Sequence, residues 1–89
     1  MKAILSVVGK DNVGILAKVS NECANFNANI EEVTQSVLNS YFVMVMIVNI
    51  DALKKDFVEF VDYMNEFGKN NNLNIHVMHE DIFNSMHKI

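Results

Sequence analysis

No arginine, proline or tryptophan occurs among these 89 residues, cysteine appears once and glycine three times. Each shortage excludes something. One cysteine cannot close a disulfide within the chain, so Cys23 reads as a small buried hydrophobe on a helical apolar stripe. Without arginine, and with a formal charge of −4, nucleic acid is a poor partner, because phosphate-backbone affinity is mostly electrostatic. Without proline or a low-complexity stretch there is no linker, and the chain reads as one domain over residues 1–89, with a core to residue 79 and a tail from residue 80. No apolar run approaches the ~20 residues that span a bilayer. Met1-Lys2 runs straight into an apolar strand, so no signal peptide is expected and the cytoplasm is the expected compartment. A domain this small buries only about 60–65% of its unfolded surface, and self-association is the natural route to extra stability.

What is present is strongly patterned. Lys2 to Gly9 is short and apolar (Ile4, Leu5, Val7, Val8) and reads as a buried strand ended by Gly9. Val13 to Phe26 places Ile15, Leu16, Val19, Cys23 and Phe26 at helical spacing, with Asp11 or Asn12 as cap and Asn27 to Asn29 as the break. Asn29 to Leu38 alternates as a half-exposed strand. Asn39-Ser40 is a two-residue turn into the nearly unbroken apolar run Tyr41 to Ile50, which makes a hairpin. A second helix is expected from about Leu53, capped by Asp51, with Phe57, Phe60, Val61, Met64 and Phe67 as its stripe and Gly68 followed by Asn70-Asn71-Asn72 at its end. Leu73 to His79 alternates as a last strand.

The order β-α-β-β-α-β predicts an α+β, ferredoxin-like two-layer sandwich. Its four-stranded antiparallel sheet has order 4-1-3-2, and a short helical tail follows. The first and third strands are apolar in both directions, as central strands should be. Helices cover only one face, yet the third strand is apolar both ways. Tyr41, Val43, Val45 and Ile47 lie on one side and Phe42, Met44, Met46 and Val48 on the other, so the second face needs a cover. A second copy of the chain and the tail residues Ile82, Phe83, Met86 and Ile89 are both expected to contribute.

Fold does not give function, but the loop after the first strand discriminates. It has no cysteine pair for copper and no arginine to grip a phosphate. The third strand's Tyr41 and Phe42 point to opposite faces, unlike the stacking aromatics of an RNA-binding sheet. The segment Val7-Val8-Gly9-Lys10-Asp11-Asn12-Val13-Gly14-Ile15-Leu16 resembles the start of an ACT domain. The tail Glu80-Asp81-Ile82-Phe83-Asn84-Ser85-Met86-His87-Lys88-Ile89 resembles the ending of the free-standing, single-ACT-domain proteins of bacteria and archaea. That resemblance covers the whole chain. It implies a regulatory homodimer, or higher homo-oligomer, that binds an amino acid or related small carboxylate between subunits and signals to an unknown protein partner. It places the ligand site on Lys10, Asp11, Asn12, Val13, Gly14, Ile15 and Leu16, with Asn29 and Ile30 as the facing wall. Free N–H groups at the helix start suit a carboxylate, and Asp11 or Asn12 an ammonium or amide.

Plainer readings stand beside these. Gly14 serves a turn as readily as a ligand, and Lys10 a solvated loop. The methionines make an adaptable core, and Asp56, Glu59, Asp62 and Glu66 a solvated helix face. His76, His79 and His87 with Glu80 and Asp81 raise the question of a metal, but residues 76 and 79 face opposite ways on a strand, so no metal and no cofactor is expected. Glu80 and Asp81 are expected to cap the tail helix, with His87 and Lys88 at its end. No Ser-His-Asp or Cys-His constellation is legible, and no enzyme is expected. The alternative function is an interaction module without a small ligand.

Overall fold

The structure, a computed structural model, describes residues 1–86. Seven elements follow in order: β1 (Lys2–Lys10), α1 (Ile15–Asn25), β2 (Asn29–Leu38), β3 (Tyr41–Asn49), α2 (Phe57–Asn70), β4 (Leu73–His79) and α3 (Glu80–Met86). The sheet order is β2-β3-β1-β4 with every pair antiparallel, the expected order counted from its other edge. Asn39 and Ser40 carry φ of 53° and 71°, the left-handed pair that matches a tight hairpin to the twist of its strands.

Alternation along the strands sets the two faces. Ala3, Leu5 and Val7 of β1 lie beside Phe42, Met44, Met46 and Val48 of β3, and beside Leu73 and Ile75 of β4. All are buried under Ile15, Val19 and Cys23 of α1 and Phe60 and Met64 of α2. The helix layer is knitted by aromatic contacts. Phe26 lies 5.3 Å from Phe60 and 4.8 Å from Tyr63 between ring centroids, and the Tyr63 hydroxyl donates to Glu22 Oε1 at 2.6 Å. On the opposite face Val8, Tyr41 and Val45 remain exposed. α3 turns back onto β1 and β4. There Phe83 meets Ile4, Ser6, Val45, His76 and Met78 around a groove of about 180 Å³. Phe83 is half-buried, while Ile82 and Met86 stay exposed, so among the described residues of the expected apolar stripe Phe83 does the covering. Ile89, His87 and Lys88 lie outside the described residues.

Several boundaries differ from the sequence reading, each for a local reason. α1 begins at Ile15, two residues later than expected, and its N-cap position is Gly14, not Asp11 or Asn12. α2 begins at Phe57 with Asp56 at its N-cap. The segment before it is held by tertiary bonds: Lys54 N–H donates to the Phe26 carbonyl at 3.0 Å, and Asn27 Nδ2 to the Ala52 carbonyl at 2.9 Å. Asp51 caps nothing and instead accepts from the Met1 ammonium at 2.7 Å. Leu16, expected in the core stripe, is more than a third exposed. α2 ends where expected, at Asn70 with Asn71 as C-cap, and Gly68 lies within its last turn. A Cβ there would stand 2.7 Å from the Leu73 carbonyl oxygen and 3.0 Å from Ile75 Cγ1, so the missing side chain is what lets α2 lie close on β4. Gly9 does not end β1, which runs on to Lys10. Asp81 N–H donates to His79 Nδ1 at 3.1 Å, so a histidine, not Glu80 or Asp81, holds the first turn of α3. No helix among the described residues is long and apolar enough to cross a membrane.

Candidate functional site

β1 delivers its last residues to one end of the sheet. Lys10 pairs with Tyr41, and Asp11 N–H donates to the Ser40 carbonyl at 2.9 Å, which ties the β1–α1 loop to the β2–β3 turn. Asn12 Oδ1 then accepts the Val13 N–H at 2.8 Å. The loop closes at Gly14, with φ 86° and ψ 11°. A Cβ at Gly14 would meet nothing within 4 Å, so the backbone angle, not crowding, requires glycine there. No side chain caps α1 and its first turn holds no acid. Its first N–H groups therefore lack intrahelical partners and sit at the positive end of the helix dipole.

The antiparallel pairing of β4 with β1 sets Leu73 opposite Gly9, which brings the α2–β4 turn beside this loop. Asn72 reverses the chain at φ 57°. Asn71 Nδ2 donates to the Phe67 carbonyl at 2.8 Å and fixes the turn to the end of α2. Between the two segments lies a cleft of about 300 Å³, lined by Lys10, Asp11, Asn12, Ile15, Lys18, Asn71, Asn72 and Leu73. Ile15 and Leu73 are its buried residues and the rest of the lining is polar. Its volume is at the lower end of the range for small-molecule sites.

Four of the expected site residues thus line one cleft: Lys10, Asp11, Asn12 and Ile15. Val13, Gly14 and Leu16 shape the loop and the first turn next to it without lining it. Asn29 and Ile30 are elsewhere. They border a second cleft of about 350 Å³ with Ser20, Ala24, Asn27 and Ala28, beyond the far end of α1. The separation follows from topology: β2 starts where β1 starts, with Asn29 opposite Asn49 and Asn49 opposite Lys2. Within one chain the wall facing the loop is therefore Asn71–Leu73, not Asn29 and Ile30. Lys18, Asn71, Asn72 and Leu73 escaped the sequence reading. The strand order could have found the last three, since it places the start of β4 against the end of β1.

The remaining reactive side chains do not converge on this cleft. His76 faces Ser6 across the open face, whereas His79 sits opposite Ala3 on the helix side, edge-on to Phe57 at 5.7 Å. Among the described residues no three His, Cys, Asp or Glu side chains are placed to hold a metal ion. Among the same residues no hydrogen bond joins Ser6 to His76. Cys23 is fully buried under α1, and burial pushes its thiol up to about 11. At about pH 8 iodoacetamide is therefore expected to spare Cys23 in the folded protein and alkylate it in denaturing urea. Mass spectrometry reads the difference, and modification at the rate of a free thiol would show that the contact between α1 and the sheet opens readily.

Comparison with known proteins places this geometry. The model of the ACT domain matches residues 2–78. A UPF0237 protein of Listeria innocua is 44% identical over 89 residues, covering 100% of both chains. A UPF0237 protein of the archaeon Methanocaldococcus jannaschii is 36% identical over 88 residues, covering 99% of this chain and 98% of its own. The solved ACT domain protein from Streptococcus pneumoniae is 41% identical and superimposes with a TM-score of 0.83 over 93% of each chain. ACT domains are typically regulatory and ligand-binding. With these similarities running over the β1–α1 loop, the sheet and the α2–β4 turn alike, the chain belongs to the ACT domain family, among its small single-domain members of bacteria and archaea.

Proposed function

We propose that this chain is a non-catalytic, cytoplasmic regulatory protein that binds an amino acid or related small carboxylate metabolite at the β1–α1 cleft, in a homodimer or higher homo-oligomer. The observation that carries the reading is the cleft itself. An uncapped helix start, held open by a left-handed Gly14, stands beside a pocket whose rim offers both an acid and two ammonium groups. Backbone N–H groups at such a start suit a carboxylate, and Asp11 suits an ammonium. Asn29 and Ile30 enter the site only from a second copy, with their own cleft turned toward the loop of the first. Val8, Tyr41 and Val45 on the open sheet face give a second copy, or a target protein that receives the signal, an apolar surface to cover.

The test is a thermal-shift screen of the purified chain against amino acids and simple carboxylates, with its solution mass measured alongside. A saturable rise in Tm that follows RT ln(1 + [L]/Kd) is expected from at least one amino acid, on a particle heavier than one chain. A second reading, an interaction module with no small ligand, is favoured by the same open face. A clean oligomer indifferent to every compound, and unable to bind any in calorimetry, would replace the first reading with the second.

A further inference from the structure

The cleft's polar atoms are divided in a way that specifies more than a carboxylate. Two hydrogen bonds fix the orientation of its amides. Asn12 spends its Oδ1 on the Val13 N–H, which leaves Nδ2 as a donor. Asn71 spends its Nδ2 on the Phe67 carbonyl, which leaves Oδ1 as an acceptor. Because each partner is a backbone group of a single kind, neither amide can be turned round without losing its bond. Among the described residues the charged groups of Lys10, Asp11 and Lys18 have no ion-pair partner in the protein. The rim therefore offers acceptors from Asp11 and Asn71, and donors from Lys10, Lys18 and Asn12, with a local charge of +1 on a chain whose net charge is −4. A neutral zwitterion has one carboxylate and would leave a lysine unanswered.

We infer that the cleft selects an acidic α-amino acid, its ammonium toward Asp11 and Asn71 and its two carboxylates toward Lys10, Lys18 and Asn12. The inference rests on the reading above, that the cleft binds an amino acid, and adds the charge of the side chain. A carboxylate side chain answers the second lysine, whereas the corresponding amide brings no charge to it. Such a contact in a solvent-open cleft is worth roughly a two- to fivefold difference in affinity and weakens with salt.

Isothermal titration of the full chain with L-aspartate, L-glutamate, L-asparagine, L-glutamine, L-serine and glycine tests this. One of the two acids is expected to bind about two- to fivefold tighter than its own amide at low salt, with the margin shrinking at about 0.5 M salt. Lys18→Gln and Lys10→Gln change exposed side chains and are expected to leave the fold intact by circular dichroism. At least one of them is expected to bring acid and amide to near-equal affinity. Equal or tighter binding of the amides, or a preference that survives both substitutions, overturns the charge assignment while leaving an amino-acid site standing. Absence of binding by all six overturns the site reading and this inference with it.

Discussion

Phe60→Ala is expected to lower the unfolding free energy by about 3–5 kcal/mol, the largest loss from any single truncation in this core. Phe60 has no exposed surface and stands where the layers meet, in ring contact with Phe26 at the end of α1 and beside Met44, Met46 and Met64 in one buried cluster. Removing the ring forfeits its transfer free energy and leaves a void that neighbours held by two helices and a sheet fill only in part. A domain of this length has roughly 5–13 kcal/mol of stability in all, so the variant should be marginal at 37 °C. Phe60→Leu keeps most of the volume and is expected to cost about 1.5 kcal/mol or less. Urea unfolding followed by circular dichroism separates the two. Equal midpoints for the alanine and leucine variants would mean that the core around Phe60 collapses freely, contrary to the packing described.

Gly68→Val is expected to cost about 3 kcal/mol, and Gly68→Ala about 1 kcal/mol. Alanine in place of glycine within a helix is by itself worth up to about 1 kcal/mol of stabilisation. Two contacts oppose it. A Cβ at position 68 would lie 2.7 Å from the Leu73 carbonyl oxygen, a backbone atom that cannot rotate away, and 3.0 Å from Ile75 Cγ1. Relieving them means lifting α2 from β4, at overpacking costs of about 1–3 kcal/mol. Valine adds two further methyl groups to the same gap and brings poorer helix propensity. Because Leu73 also lines the cleft, both variants should weaken any ligand as well as the fold. A lower urea midpoint with unchanged slope is the expected signature, and an alanine variant more stable than the parent would show that helix and sheet part without cost.

The architecture was legible because each strand declares its faces. The apolar runs of β1 and β3 required central places in the sheet, and the polar alternation of β2 and β4 required edges. Helix starts were less legible. Asp51 has the side chain of an N-cap, but the chain uses it on the Met1 ammonium. Asp56 takes the N-cap position because backbone groups of residues 52–54 are tied to Phe26, Asn27 and Ile50. Such bonds cross between elements and leave no local pattern. The stop at Asn70, Asn71 and Asn72 was legible, but Gly68 beside them is glycine for a reason that lies on β4. At the site, the loop from Lys10 to Gly14 was visible as a polar, glycine-closed turn after a strand. The opposite wall was not, because Asn71 and Asn72 read as a turn and nothing more until the pairing of Leu73 with Gly9 sets them across from Asp11. The reading of Asn29 and Ile30 as that wall came from resemblance, and a single chain's topology puts them at the other end.

The pairing of β1 also governs when the cleft comes into being. β1 bonds to β3 and to β4 and not to β2, the next strand in sequence, so one of its edges waits for β3 and the other stays open until β4 has been made. Only the arrival of Leu73–His79 completes the sheet, and the same event swings Asn71 and Asn72 against Lys10 and Asp11. Closing so long a loop is slow. A nascent or truncated chain that lacks β4 would have one wall and no cleft, so the cleft itself marks a chain with β4 in place.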